Sequence, residues 1–278
     1  MNNKKIALLA LIPFAVFFLL FEFAPLLWVA VNSFYVEDIG WGIQNYVDII
    51  SSKFYVQSMI YSIKITWWSS LFGLVIAIIG TYSLTTLKFS KLHHFLISFN
   101  TVASNFAGIP LSFAFIILIG ANGAFNLILK HFGVDIINLY SQTGIIIIYT
   151  YFQIPLAVLL LYPAFDAIKK EWQEAAMLMG ASHLAYWRYI VIPMLSPALL
   201  GTLVILFANA LGAYATIYAL TSGNFNVMPI RIGALVSGDV SLNPYMASAL
   251  SVYLIAMMML IVIAQRYIAK RYHYVNKA

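Results

Sequence analysis

Six apolar runs, each about twenty residues or longer, divide the chain at roughly residues 6–31, 57–83, 95–119, 144–163, 195–220 and 245–264. Wound as α-helix, a run of that length matches the roughly 30 Å of hydrocarbon in a bilayer. Inside lipid a helix satisfies its own backbone hydrogen bonds, which makes long apolar runs self-consistent as spans. The runs therefore predict an all-α, polytopic membrane bundle of six transmembrane helices, read as one transmembrane domain over residues 1–278. Residues are 63% hydrophobic and only 9% charged, whereas about a quarter of a soluble domain is charged. A soluble fold is excluded. No cysteine is present, so disulfides, thiolate metal sites and a cysteine nucleophile are excluded too.

Charge sorts by membrane side. Six spans place both termini together, with Lys4, Lys5, Lys88, Lys91, Lys169, Lys170, Arg188, Arg266, Lys270, Arg271 and Lys277. The opposite side has Lys53, Lys130 and Arg231, with Lys64 near the boundary, against Glu37, Asp38, Asp48, Asp135 and Asp239. Basic residues are retained in the cytoplasm, so both termini are expected there. The first run is too long for a cleaved leader and lacks a small-x-small site, so it is read as an uncleaved span. The net charge of +6 is thus accounted for by topology, and nucleic acid is not expected as a partner.

Several polar residues fall inside the runs. Span three contains Asn100, Thr101, Ser104, Asn105, Gly108 and Pro110, and span five contains Asn209, Gly212 and Tyr214. Such groups need partners in lipid, so these helices are expected to face the bundle interior or a cavity. Asn100, Ser104, Asn105, Asn209 and Tyr214 are candidates for a solute path, with helix–helix hydrogen bonding as the alternative. Glu22 and Pro25 in span one imply contact with protein or water, and Glu22 is expected near the outer interface. Lys64, within two turns of the outer end of span two, can snorkel. His93 and His94 are placed in a short solvated turn over 84–94, and residues 125–132 form a short amphipathic piece in an outer segment.

One stretch, 166–193, breaks the apolar pattern. Lys169, Lys170, Glu171, Glu174, His183 and Arg188 are too many charges for a membrane core. Glu171 to Met179 is rich in helix formers, with Ala175, Leu178 and Met179 forming a weakly apolar face. Gly180 is positioned to stop this helix, and Ser182 to cap a second that runs through Trp187 towards Pro193. Two short helices fixed between spans four and five suit contact with another protein.

Glu174-Ala175-Ala176, three residues, Gly180, nine residues, Ile190, one residue and Ile192-Pro193 resembles the EAA loop of binding-protein-dependent ABC importer permeases. The family usually has Leu where Ile192 stands. The resemblance implies a bacterial inner (plasma) membrane permease subunit whose short cytoplasmic coupling helices fit a cleft in an ATPase. Glu171, Glu174, Ala175, Ala176, Gly180, Ala181, Ile190 and Pro193 fall in that coupling segment. It further implies two cytoplasmic ABC ATPase subunits, a second permease subunit that is a different homologue, and an extracytoplasmic solute-binding protein.

The residues themselves support no enzyme. The five histidines, His93, His94, His131, His183 and His273, lie in loops or tails without HxxxH or HExxH spacing, and no Gly-rich phosphate loop precedes a Lys-Ser/Thr. No catalytic residue, metal site or cofactor is assigned to this chain; ATP and Mg would be held by the partner ATPases. A stand-alone secondary carrier is the rival, and would usually bring an inverted repeat with broken helices; no internal repeat is evident. Residues 210–214 and 229–233 resemble the branch handling polyamines, phosphonates or ferric ions, and the acidic outer loops suit a cationic solute. The expectation is a polyamine-like or aminophosphonate solute, with sugar or ferric ion as alternatives.

Overall fold

The computed structural model describes residues 3–37, 39–87, 89–238 and 242–275. The expectations for Asp38, Lys88, Asp239 and Lys277 lie outside the described residues, as do the side chains of Lys4, Lys5, Lys270, Arg271 and His273.

In chain order, α1 (Asn3–Phe18) passes through a π turn (Leu19–Phe23) into α2 (Ala24–Asn32). A short hairpin of β1 (Tyr35–Val36) and β2 (Gly40–Trp41) follows, pairing Tyr35 with Trp41 and Val36 with Gly40. Then come α3 (Gln44–Ser51), α4 (Lys53–Thr86), α5 (Ser90–Ser104), α6 (Gly108–Ile119), α7 (Ala124–His131), α8 (Gln142–Asp166), α9 (Lys170–Leu178) and α10 (His183–Tyr186). A second π turn (Trp187–Val191) leads into α11 (Ile192–Leu211), α12 (Tyr214–Thr221), α13 (Met228–Ser237) and α14 (Pro244–Val275). Six helical stretches have the length and apolarity of membrane spans: Leu11–Asn32, Lys53–Thr86, Gly108–His131, Gln142–Asp166, His183–Leu211 and Pro244–Tyr267. The six-span, all-α expectation holds.

Its details change in physically readable ways. Span three is no single rod over 95–119: α5 ends at Ser104 and α6 restarts at Gly108. Pro110 explains the stop, because its ring in a continuing helix would strike the carbonyl of Phe106. Span five likewise ends at Leu211 rather than 220, with α12 beyond the break. Both π turns lie two residues ahead of a proline, Pro25 and Pro193. A widened turn there relieves the clash that proline imposes on the preceding carbonyl. The second π turn makes α10 continuous with α11, so the helix capped by Ser182 is the start of span five and not a separate piece. Glu22 sits in the first π turn at the middle of Leu11–Asn32, not near its end. Because α4 begins at Lys53, Lys64 lies eleven residues inside it, deeper than two turns. The turn over 84–94 shrinks to the residues between α4 and α5. His93 and His94 are in the first turns of α5, His131 ends α7 and His183 opens α10, so these four are helical rather than in loops.

The chain forms two compact units, Met1–Ser58 with Arg231–Ala256, and Met59–Ile230 with Met257–Ala278. In the first, Tyr46 donates to Ser33 Oγ at 2.6 Å and Asn45 Nδ2 donates to Tyr35 O at 2.8 Å, locking α3 against the hairpin. The Tyr253 hydroxyl reaches Tyr46 O at 3.3 Å. Arg231 places its guanidinium 4.9 Å from the Phe54 ring centre. Burial pulls its pKa below the ordinary arginine value, which the neighbouring Tyr55 partly opposes.

The second unit has two apolar cores. One gathers Ile65, Leu111, Ile145, Ile148, Ile217 and Ile230; the other gathers Leu74, Ala77, Leu161, Phe165, Val191 and Leu206. The face that α4 turns inward is built of small residues at helical spacing, Ser62, Thr66, Ser69, Ser70, Gly73, Ala77 and Thr81, all buried. Small side chains let helix backbones approach closely where lipid offers no hydrophobic drive for association. At Gly73 the approach is tightest, since a Cβ there would sit 2.8 Å from Gln153 Cβ. Gly73→Ala should therefore destabilise the folded chain by about 1–3 kcal/mol through overpacking. Gly201→Ala, whose added methyl meets open space, should be neutral or stabilising by up to ~1 kcal/mol. Thermal unfolding of both variants in the same detergent checks the contrast.

Candidate functional site

The polar stretch folds into a hook. Lys170 to Leu178 is helical as its composition predicts, and Gly180 has φ +83°. Gly180 N–H donates to Met177 O at 2.9 Å and Ala181 N–H to Ala176 O at 3.0 Å. These are the paired bonds of a Schellman stop, in which only glycine takes the left-handed position without strain. Ser182 Oγ accepts from Ala185 N at 3.2 Å, capping α10 as expected. Gln173 Nε2 lies 3.4 Å from His183 Nδ1 and adds a side-chain link between the two helices. The spacing of Ala176, Gly180, Ala181 and Ser182 is thus the spacing of one rigid reversal.

Which face the hook buries could not be read from spacing. Ala176 is buried with Tyr186 and Val191 in the chain's own core, and Met177, Ala181 and Ile190 pack against that core. Ala175, Leu178 and Met179, the weakly apolar face of the sequence, point outward. Leu178 is 90% exposed, Met179 81% and Leu184 79%, an apolar surface left uncovered by the described residues. Glu171 and Glu174 are exposed, Glu174 in an ion pair with Lys170 at 3.4 Å on the same helix. Pro193, half-buried, stands in the first turn of α11. A partner approaching the hook would therefore meet Ala175 and Glu174, not Ala176.

The polar residues of the spans cluster at the two helix breaks. Asn100 Nδ2 donates to Pro155 O at 3.0 Å, tying α5 to α8. Ser104 Oγ donates to Thr101 O at 2.8 Å and Asn105 Nδ2 to the same carbonyl at 3.0 Å, serving the frayed end of α5. Across the break, Gly108 N–H donates to Thr216 Oγ1 at 3.0 Å and Ser112 Oγ to Thr216 O at 2.7 Å. The other break is served by Tyr149, whose hydroxyl donates to Ala213 O at 2.8 Å. The first N–H of α6 thus finds its partner on the first turn of α12, and the two restarts are tied together. Asn105, Asn209 and Tyr214 remain exposed beside these breaks, Ser104 half-exposed. Tyr214 stacks on Tyr218 with ring centres 5.2 Å apart.

Asn209 also donates to Gln153 Oε1 at 3.2 Å. Gln153, fully buried, donates in turn to Leu206 O at 2.7 Å and Ser70 Oγ at 3.1 Å. Sequence reasoning missed both Gln153 and Ser70. The signal was there: a glutamine amid the apolar residues of span four has to be satisfied by a neighbouring helix. Among the described residues no three His, Asp or Glu side chains converge as metal ligands would. A double-mutant cycle of Gln153→Leu and Asn209→Leu, read by thermal unfolding, should give a favourable coupling of about 0.6 kcal/mol and no more than ~1.7.

Residues 77–274 match the protein family described as binding-protein-dependent transport system inner membrane component. The Escherichia coli inner membrane ABC transporter permease protein YcjP is 29% identical over 201 residues, 71% of this chain and 66% of that protein. A probable sulfate transport system permease protein of a Helicosporidium species is 29% identical over 131 residues, 47% of this chain and 46% of that one. The matched stretches thus span less than two thirds of either relative. In structure, a bacterial ABC transporter involved in import of the acidic polysaccharide alginate aligns with a TM-score of 0.78 at 15% identity, covering 97% of this chain and 96% of that one. That likeness concerns the fold. Helix breaks of the kind a secondary carrier would bring are present here, yet the family match accounts for the chain without one. With its six apolar spans, the chain belongs to the ABC permease family of binding-protein-dependent transport systems and is a multi-pass inner membrane protein.

Proposed function

We propose that this chain is the permease half of an ATP-driven importer, moving a small polar solute handed over by an extracytoplasmic binding protein. The observation that carries the reading is the hook. Its inner face is anchored in the core of the second unit, its outer apolar face is bare, and its second helix runs without interruption into span five. Two cytoplasmic ATPase subunits, holding ATP and Mg, are the partners that fit it; this chain holds neither. Both termini and the hook lie on the cytoplasmic side in this reading, as the lysine and arginine distribution requires.

Glu174 then trades its weak intrahelical pair with Lys170 for basic residues of an ATPase cleft, while Ala175 leaves room for close approach. ATP closes the ATPase pair, the hook is carried with it, and α11 transmits the displacement to the break after Leu211. Such an effect needs the two conformations to differ in affinity for the ATPase state. The broken, polar segment at Asn100, Ser104, Asn105, Asn209 and Tyr214 forms one wall of the path, and a second permease, a different homologue, forms the other. Asn100 and Asn209 also bond neighbouring helices, so they shape that wall as well as line it.

For the solute, one of the two relatives is a probable sulfate permease and the aligned structure is of a transporter involved in import of an acidic polysaccharide; neither is named for polyamines, phosphonates or ferric ions. We therefore place sulfate-like and sugar solutes ahead of the polyamine-like solute that the acidic outer loops suggested. Titration of the cognate binding protein with sulfate, sugars and polyamines checks this order, and tight binding of polyamines alone would reverse it. In the assembled transporter, Glu174→Lys and Gly180→Asp should each abolish ATP-dependent uptake while membrane insertion stays normal. Uptake at the unaltered rate in either variant would remove the coupling role.

A further inference from the structure

A cavity of about 580 Å³ lies in the second unit between the ends of α4 and α8, the first turn of α9 and the start of span five. Its lining comes from three helix ends. Thr86 is the last residue of span two, Asp166 the last of span four, and Tyr186 is three residues into span five. These three helix ends come together beside the charged stretch 166–193, where the apolar spans give way to polar residues.

The lining has two chemistries. Leu87 and Ile168 are apolar, and Tyr82 and Trp187 pack edge to face with ring centres 5.1 Å apart. Aromatic pairs of this kind belong to the headgroup belt, where one side of the ring is apolar and the other wet. Asp166, Lys169 and Lys170 supply the charge. Two lysines and one aspartate lining one cavity match a ligand carrying a phosphate and an amine. A purely anionic headgroup would leave Asp166 facing like charge, and a choline headgroup cannot donate a hydrogen bond to it.

From this geometry we infer that the cavity binds the phosphoethanolamine headgroup of a membrane aminophospholipid. The phosphate lies against Lys169 and Lys170, the ammonium against Asp166, and the glycerol end against Leu87, Ile168 and the two rings. Basic pockets between membrane helices hold lipid headgroups by the same charge-assisted bonds. Among the described residues Lys170 makes an exposed ion pair with Glu174, a weak competitor for a phosphate. Soluble phosphoethanolamine shares the polar chemistry, but it has nothing to place on the apolar and aromatic lining.

The test uses the full chain, purified in mild detergent and stripped of lipid. Native mass spectrometry and thermal shift follow titration with dihexanoyl phosphatidylethanolamine, dihexanoyl phosphatidylcholine and O-phosphoethanolamine. The ethanolamine lipid should bind at least about fivefold tighter than either of the others, the size of one charged contact at a membrane surface. Lys169→Gln with Lys170→Gln should weaken it at least about tenfold, and Asp166→Asn should erase its advantage over the choline lipid. These three side chains are exposed, so unchanged melting without lipid shows that each variant is folded. Equal binding by the parent chain and the double lysine variant overturns the assignment. So does phosphoethanolamine binding as tightly as the lipid, which would make the cavity a site for a soluble phosphomonoester. Because the readout is binding by the chain itself, a negative result leaves the docking of an ATPase on the hook unaffected.

Discussion

The second unit turns on the side-chain amide of Gln153. On α4 the residues of one apolar core end at Ile65 and those of the other begin at Leu74; on α8 they change over between Phe152 and Ala157, and on α11 between Leu206 and Ala210. Gln153, Ser70 and Asn209 fall at this changeover on all three helices. A buried glutamine away from water must have its amide donors and acceptor used, or it costs several kcal/mol. Here each finds a partner only if α4, α8 and α11 hold one register. Sliding any of them by a turn would strand the amide. Gly73 belongs to the same constraint, since it brings the α4 backbone close enough for Ser70 to be reached.

This bears on how much of the molecule was legible in the sequence. Features governed by local rules were: six spans from apolar length, the stop at Gly180, the cap at Ser182. Each depends on residues within one or two turns, so spacing suffices. Features governed by packing were not. Ala175 and Ala176 are chemically identical, and only the tertiary position of Tyr186 and Val191 decides which turns inward. The small-residue face of α4 was not read from the sequence, because its meaning needed the partner helix that carries Gln153. Span limits failed where hydropathy was blind to geometry: Pro110 is apolar by composition, yet it ends α5 before Asn105 can continue it.

The two prolines behind the π turns make a related point. Pro13 is accommodated inside α1 and Pro155 inside α8 without a π turn, whereas the turns before Pro25 and Pro193 widen. The difference is not in the proline but in what the helix has to do next. At Pro193 the wide turn keeps α10 and α11 in one helix although the polar hook and the apolar span meet there. A full break would have let the hook pivot freely. The wide turn absorbs the missing hydrogen bond within a few residues and preserves the axis.

Continuity at that turn determines what the hook can transmit. His183 to Leu211 is one helical stretch of 29 residues, about 43 Å at 1.5 Å per residue. At one end it is seated by Tyr186 in the core, part-way along it is pinned through Leu206 and Asn209 to Gln153, and at the other end it stops at Gly212. A push on the hook therefore has a fulcrum, the Gln153 amide, close to the far end. Motion beyond the fulcrum falls on the break, where Ala213 is held by Tyr149 and Thr216 by Gly108 and Ser112. Those bonds join α12 to α6, so the two broken segments respond as one body instead of fraying separately. In the function proposed above, the polar residues at the breaks thus lie downstream of the hook.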